Sequence, residues 1–379
     1  MRFFENFNYD FLGKRKIAYI ISGGLFLLGV ISGLTRGFHF GIDFKGGSEI
    51  VLQFEKAVDI AEVRADVENI GLGNIEVKTF GGETGVMIRT EIQVVPTAVY
   101  PNVIAGIEKE IEKLMPGVPR KLIDSTASSV TYAFENPDTA NRIIDGLFEA
   151  GFQSGRVSEE PDNTQMLVSV GIADWIKENL REKITENPFT VLKEDRVGPK
   201  IGEELKRDAV LAIFFALIAI LVYLGFRFKF IFAFGAVAAL FHDVLITLGL
   251  FAAIYGLFPG LNLDIDLTIV AAFLTLIGYS INDTVIVFDR IRENLKIHKT
   301  RPLFDVINTS VSQTMSRTVL TGGTTLLTVL VLMIFGGEVL RSFAFTLLFG
   351  IIIGTYSSIF VASTLVYEYA TKYSKKVEF

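Results

Sequence analysis

Asp283 stands in a run from Thr268 to Phe288 that is otherwise apolar enough to cross a bilayer. A carboxylate near the middle of a membrane helix costs ~2.5–3.5 kcal/mol on insertion scales, and such groups face a protein interior or a water path. The chemistry open to it is acid–base. Burial favours a neutral carboxyl, whereas an approaching guanidinium favours the ion, so a site whose surroundings alternate can bind and release a proton. Thr275, Tyr279 and Asp283 follow one another at i, i+4 spacing on one helical face, with Asn282 beside the carboxylate. A second span carries Arg317, Thr321, Thr324, Thr325 and Thr328, which also share one face. Arg317 begins that helix on the side of the membrane toward which Asp283 is displaced, so the two charges can approach across the bundle. The functional reading is a relay of Asp283 and Arg317, supported by a polar stripe of Tyr279, Asn282, Thr321 and Thr325. The static alternative is a buried pair that fixes helix register. A third span adds Asp243 and Thr247, again at i, i+4, with His242 adjacent. Asp243 either assists the relay or bonds a neighbouring helix, and His242 reads as a bundle-facing partner. Sodium would suit a carboxylate in such a stripe as well as a proton.

These residues need helices that cross a membrane. Half the residues are hydrophobic and 21% are charged. A span needs about 20 mainly apolar residues, and six stretches qualify: Ile17–Leu34, Ala209–Phe226, Phe230–Leu257, Leu267–Phe288, Thr318–Phe335 and Ser342–Tyr367. The chain divides into a tail and first span (1–35), a soluble block (36–207) and five further spans (208–379). Basic residues mark the cytoplasmic connections: Arg2, Lys14, Arg15 and Lys16; Arg227 and Lys229; Arg290 through Arg301; and Lys372, Lys375 and Lys376. The segment Phe258–Asp266 has none. Both termini are therefore expected in the cytoplasm and the soluble block outside. The first apolar run is longer than a signal-peptide core and has no clear cleavage site, so it reads as an uncleaved anchor.

Several classes are disfavoured. The chain has no cysteine, and its formal charge of −6 argues against nucleic acid. No phosphate-binding loop is present, and His39, His242 and His298 are scattered rather than set at metal spacing. No enzymatic site, metal or cofactor is expected; the work must draw on an ion gradient. Gly350–Gly354, Gly249 and Gly322–Gly323 read as close-packing positions, and Gly46–Gly47 as a turn into the first strand.

The soluble block has α+β periodicity. Ser48–Phe54, Ile75–Phe80, Val86–Arg89 and Arg120–Ile123 alternate as strands; Asp59–Ile70 and Val103–Leu114 have helical spacing. The pattern recurs as Val130–Phe134, a helix capped by Asn136, Gln153–Ser158, Gln165–Val170, Ala173–Ile184 and Phe189–Lys193. Each half reads βαββαβ, the ferredoxin-like order. The expectation is two tandem units, 48–124 and 129–193, against the alternative of one larger α+β domain.

Gly41–Ser48 (GIDFKGGS), Arg196–Gly202 (RVGPKIG), Phe241–Val244 (FHDV), Tyr279–Asn294 (YSINDTVIVFDRIREN) and Ser316–Thr318 (SRT) closely resemble signature segments of the SecD/SecF protein-export family, in its six-span SecF half. The matches run from first span to fifth in the family's order. The family is related to the resistance-nodulation-division exporters, which implies ferredoxin-like external domains on a proton-coupled bundle. The resemblance implies that Asp283 and Arg317 lie on a proton path. It also implies SecD as a partner with six more spans, along with the SecYEG translocon, YajC, an unfolded preprotein and lipid, in a bacterial inner membrane. The expected activity is proton-driven promotion of late, ATP-independent preprotein translocation. A proton-coupled exporter of small molecules or lipids and a non-transporting assembly scaffold are the other readings. The external block is longer than the family's usual one, and Ser129–Lys193 reads as the addition.

Overall fold

Where no water reaches the backbone, its amides can be satisfied only within a helix, and the first apolar run accordingly winds into α1 (Arg15–Thr35). The computed structural model describes residues 9–70, 75–92, 95–97, 99–126, 128–150, 152–158, 160, 162–258 and 261–372. Arg2, Lys375 and Lys376 lie outside them. The chain forms two units, Met1–Gly41 with Glu204–Phe379, and Ile42–Glu203.

The second unit opens with a single turn, α2 (Ile42–Lys45), and β1 (Gly47–Phe54). Gly46 and Gly47 join them at φ +76° and +128°. A Cβ on Gly47 would lie 2.4 Å from the Thr90 carbonyl oxygen, so the expected turn requires glycine for both conformation and space. Then follow α3 (Ile60–Glu68), β2 (Ile75–Thr79), β3 (Gly85–Thr90), α4 (Tyr100–Leu114), β4 (Arg120–Thr126), β5 (Ser129–Phe134), α5 (Pro137–Glu149), β6 (Gln153–Arg156), β7 (Gln165–Ser169), α6 (Ile172–Lys183) and β8 (Phe189–Val197). Asn136 caps α5 as expected: its Oδ1 accepts from the Thr139 amide at 2.8 Å. Asn136→Ala should cost about 1 kcal/mol and speed exchange of the Thr139 amide proton several-fold. Unchanged exchange there would contradict the cap.

Strand pairing departs from the tandem expectation. The two sheets run β2-β3-β1-β8 and β4-β5-β7-β6, all antiparallel. Each has the ferredoxin-like order, but the closing strands are exchanged between 48–124 and 129–193. The helices follow: α6 packs on α3 and β1, and α4 on α5. The physical reason lies at residues 127–128. So short a connection favours a hairpin, and β4 pairs with β5 from Thr126↔Ser129 to Arg120↔Phe134. With β4 taken, the open side of β1 is closed by β8. Ser129–Lys193 is therefore not a separable addition, because its last strand completes the first sheet. One apolar core serves both sheets, including Val63, Val67, Ile107, Tyr132, Leu147 and Leu180.

α7 (Pro199–Arg227) starts in the last residues of the second unit and continues into the first, where α8 (Phe230–Ile254), α9 (Leu267–Ile297) and α10 (Leu303–Phe335) follow. The last span is built from α11 (Gly337–Ser357), a π turn (Ser358–Ala362) and α12 (Ser363–Lys372). With α1, six helices among the described residues are long and apolar enough to cross a membrane. α9 and α10 overrun the expected spans, to Ile297 and from Leu303. Their polar extensions bond each other, with Asn294 Nδ2 donating to Ser310 Oγ at 2.8 Å.

Small residues set the close approaches. A Cβ on Gly249 of α8 would lie 2.7 Å from the Gly29 Cα of α1. Cβ atoms on Gly350 and Gly354 would press Leu276 and Ser280, so these glycines seat α11 on α9. Gly323 differs from its expected role: a Cβ there would meet nothing within 4 Å.

Candidate proton-coupling site

α9 is amphipathic within the bundle. Leu276, Ile277, Ser280, Asp283, Thr284, Val287 and Phe288 recur at three- and four-residue spacing and are buried. This face turns Asp283 inward, leaving it 1% exposed. Neither carboxyl oxygen has a hydrogen-bond partner among the described residues. An ionised carboxylate so placed lacks the donors that normally offset its desolvation. Charge on Asp283 is thereby tied to the arrival of water or of a cation.

Arg317 lies within electrostatic reach of Asp283. No hydrogen bond or ion pair joins them, and Arg317 is exposed on α10. The direct pair that a static structural role would need is therefore not formed. Tyr279 is half-buried and donates to Thr325 Oγ1 at 3.4 Å, linking the two polar stripes. Asn282, although next in sequence to Asp283, is exposed and points off the buried face. Thr321 and Thr325 spend their hydroxyl protons on their own helix, donating to Arg317 O at 2.7 Å and Thr321 O at 2.9 Å. The face of α10 carrying Arg317, Thr321, Thr324 and Thr328 is exposed on this chain.

Asp243 sits in a different environment, also 1% exposed. Its Oδ2 accepts from Ser280 Oγ of α9 at 2.6 Å and Ser357 Oγ of α11 at 2.8 Å. Its Oδ1 lies 3.0 Å from His242 Nδ1. The chain of polar contacts continues from His242 Nε2 to Ser22 Oγ of α1 at 2.9 Å, and from Ser22 Oγ to the Tyr356 hydroxyl at 3.0 Å. The Tyr356 hydroxyl donates to the Ala18 carbonyl at 2.6 Å. The π turn begins directly after Ser357; such widened turns are frequent at functional sites. Asp243 thus bonds its neighbouring helices, one of its two sequence readings, with His242 beside it. Ser22, Tyr356 and Ser357 carry no sequence signal, since each is an ordinary small or aromatic residue in its own span.

Asp283 and Asp243 therefore differ in kind. One is a bare carboxyl beside a distant cation, and the other is bonded on both oxygens. Only Ser280, one turn before Asp283 on α9, bonds Asp243 from the helix that bears Asp283.

Residues 176–372 match the family model described as Protein export membrane protein SecD/SecF, C-terminal, and residues 31–58 match the SecD/SecF GG Motif. The chain is 41% identical over 368 residues to Protein translocase subunit SecF of Rhodothermus marinus, covering 97% of this chain and 95% of that one. It is 33% identical over 379 residues to the protein of the same name from Rickettsia typhi, covering 100% and 97%. The crystal structure of SecDF, a translocon-associated membrane protein from Thermus, superposes with a TM-score of 0.65 at 27% identity. That match takes in 97% of this chain and 39% of the longer SecDF chain.

Proposed function

Because the chain belongs to the SecD/SecF family of protein-export membrane proteins, and is a SecF-type subunit of the Sec export machinery, we propose that it couples proton flow to the late, ATP-independent stage of preprotein translocation. The observation that carries this reading is Asp283, buried with neither oxygen bonded among the described residues and with Arg317 within electrostatic reach but not bonded to it. Asp283 carries the proton. Arg317 stabilises the carboxylate when it approaches, and Asp243 assists from its own cluster. A second aspartate comes from SecD, whose six spans complete the bundle. The exposed Arg317 and threonine face of α10 is the side available to such a partner.

One elementary charge moving down the gradient supplies ~2.3 kcal/mol per 100 mV. Fully coupled, that biases a two-state movement by about 50-fold. The movement is of the external domain, which pulls on the emerging chain or blocks its return. SecYEG, YajC and the unfolded preprotein are the working partners, in a bacterial inner membrane. The basic connections support cytoplasmic termini and an α+β domain on the opposite side. An exporter of small molecules and a static scaffold are disfavoured by the names of the relatives.

Inverted membrane vesicles holding an intermediate stalled after the ATP-dependent step test the proposal. Completion should need this chain together with SecD, and should stop when an ionophore collapses the proton gradient. Completion at an unchanged rate without the gradient overturns proton coupling. Arrest only when a sodium gradient is collapsed assigns the same carboxylate to sodium instead.

A further inference from the structure

The contacts around His242 can be decided by counting protons. Tyr356 has one hydroxyl proton, and the Ala18 carbonyl, 2.6 Å away, can only accept it. The contact between Tyr356 and Ser22 at 3.0 Å must then use the single proton of Ser22. Ser22 Oγ has no proton left for His242, so the 2.9 Å contact needs a hydrogen on Nε2. The other ring nitrogen faces Asp243 Oδ1 at 3.0 Å, and one more proton must lie between them. Asp243 Oδ2 is already an acceptor, taking the Ser280 hydroxyl at 2.6 Å.

From this accounting we propose that His242 and Asp243 form a second proton-binding site, loaded with one proton in this conformation and discharged by rotation of the Ser22 hydroxyl. The inference deepens the proton-coupling reading and rests on it for its role, though not for its chemistry. The loaded pair is neutral overall, as imidazolium with carboxylate or as imidazole with carboxylic acid. Neutrality suits a pair at the centre of a bundle, where a net charge is costly. On discharge the Nε2 proton passes to water, and the pair becomes Nδ1-protonated imidazole with carboxylate, net charge −1. Nε2 then needs a donor, and among the described residues the hydroxyl bonded to it is that of Ser22.

Turning that hydroxyl from Tyr356 to His242 leaves two oxygens 3.0 Å apart with no proton between them. Ser22 belongs to α1 and Tyr356 to α11, so losing the proton loosens the contact between these two helices. The groups facing the pair are Ser22 from α1, Ser280 from α9, and Tyr356 and Ser357 from α11. Asp283 is one turn from Ser280 on α9. Tyr356 and the pair itself are the titratable members of the cluster.

Nitrogen-15 NMR of the full chain in lipid nanodiscs reads the state of each ring nitrogen. The three histidines are few enough to assign, with His242→Asn identifying the relevant signals. In the wild type at neutral pH, Nε2 of His242 should give a protonated-type signal. Tyr356→Phe frees the Ser22 hydroxyl to donate to Nε2, which removes the need for the extra proton. The signal should then change to the unprotonated type, with the hydrogen on Nδ1. An unprotonated Nε2 in the wild type, or the same state in both proteins, overturns the site. The wild-type spectrum alone decides this if Tyr356→Phe does not fold. Asp283→Asn in the vesicle assay is independent. If that variant translocates normally while the tautomer switch is present, the proton-coupling reading fails and the site remains; the reverse pattern overturns the site alone.

Discussion

Asp283→Asn should abolish the gradient-dependent part of late translocation while leaving the chain folded and membrane-inserted. Asparagine matches aspartate in size and cannot ionise. Neither oxygen of Asp283 accepts a native hydrogen bond among the described residues, so the exchange removes no bond that holds α9 in place. The new amide is itself a buried polar group, with a cost of about 1–3 kcal/mol, partly replacing the cost of the carboxyl it displaces. Function should respond differently. The acceleration that one proton supplies, up to ~50-fold at 100 mV for full coupling, should fall to none. The decisive comparison is completion of a stalled intermediate with and without the gradient, for wild type and variant at equal abundance. A variant that still speeds up when the gradient is imposed removes Asp283 from the path.

The largest stability effect is expected at Glu49→Ala, in the α+β domain. Glu49 is 5% exposed on β1, a central strand flanked by β3 and β8. Its Oε2 accepts from Arg89 Nη2 at 2.6 Å and Nε at 3.1 Å, and its Oε1 from Lys193 Nζ at 3.1 Å. One carboxylate thus ties both neighbouring strands to β1, including the closing strand supplied by the far end of the domain. Arg89 is 9% exposed and also meets Glu76 at 3.4 Å, and Lys193 also meets Asp195 at 2.6 Å. Truncating one partner of a buried pair costs ~3–5 kcal/mol, and here three charge-assisted bonds to β3 and β8 are lost together. The single tryptophan, Trp175, lies on α6 in the same unit. Its fluorescence during denaturation of the full chain therefore reports this unit. Glu49→Gln, which keeps an acceptor, should lose less than Glu49→Ala. A shift below about 1 kcal/mol for Glu49→Ala would mean that solvent screens the network like a surface pair.

The limits of sequence reading are clearest in β4 and β8. Their alternation marks both as strands, and neither pattern names a neighbour. Alternation is a relation within one strand, whereas pairing depends on which edge is free when the chain returns. Residues 127–128 were the one local hint, since a hairpin is the natural outcome of so short a connection. The polar cluster is a sharper case. Asp243 and His242 are adjacent in sequence and stand out, yet their bonds go to Ser22, Ser280 and Ser357. The separation from His242 to Ser22 is 220 residues.

By itself the sequence determined what depends on local spacing. It located the apolar runs, because crossing a bilayer needs an uninterrupted length, and it placed Asp283 inward, because a carboxylate on a lipid-facing side would cost too much. It also set most element boundaries in the α+β domain through caps, glycines and hydrophobic period. Only the tertiary structure decided that the closing strands are exchanged, that Arg317 stands off from Asp283, and that α1, α9 and α11 meet at the Asp243–His242 cluster of α8. These are relations between elements far apart in the chain, and periodicity within an element carries no information about them.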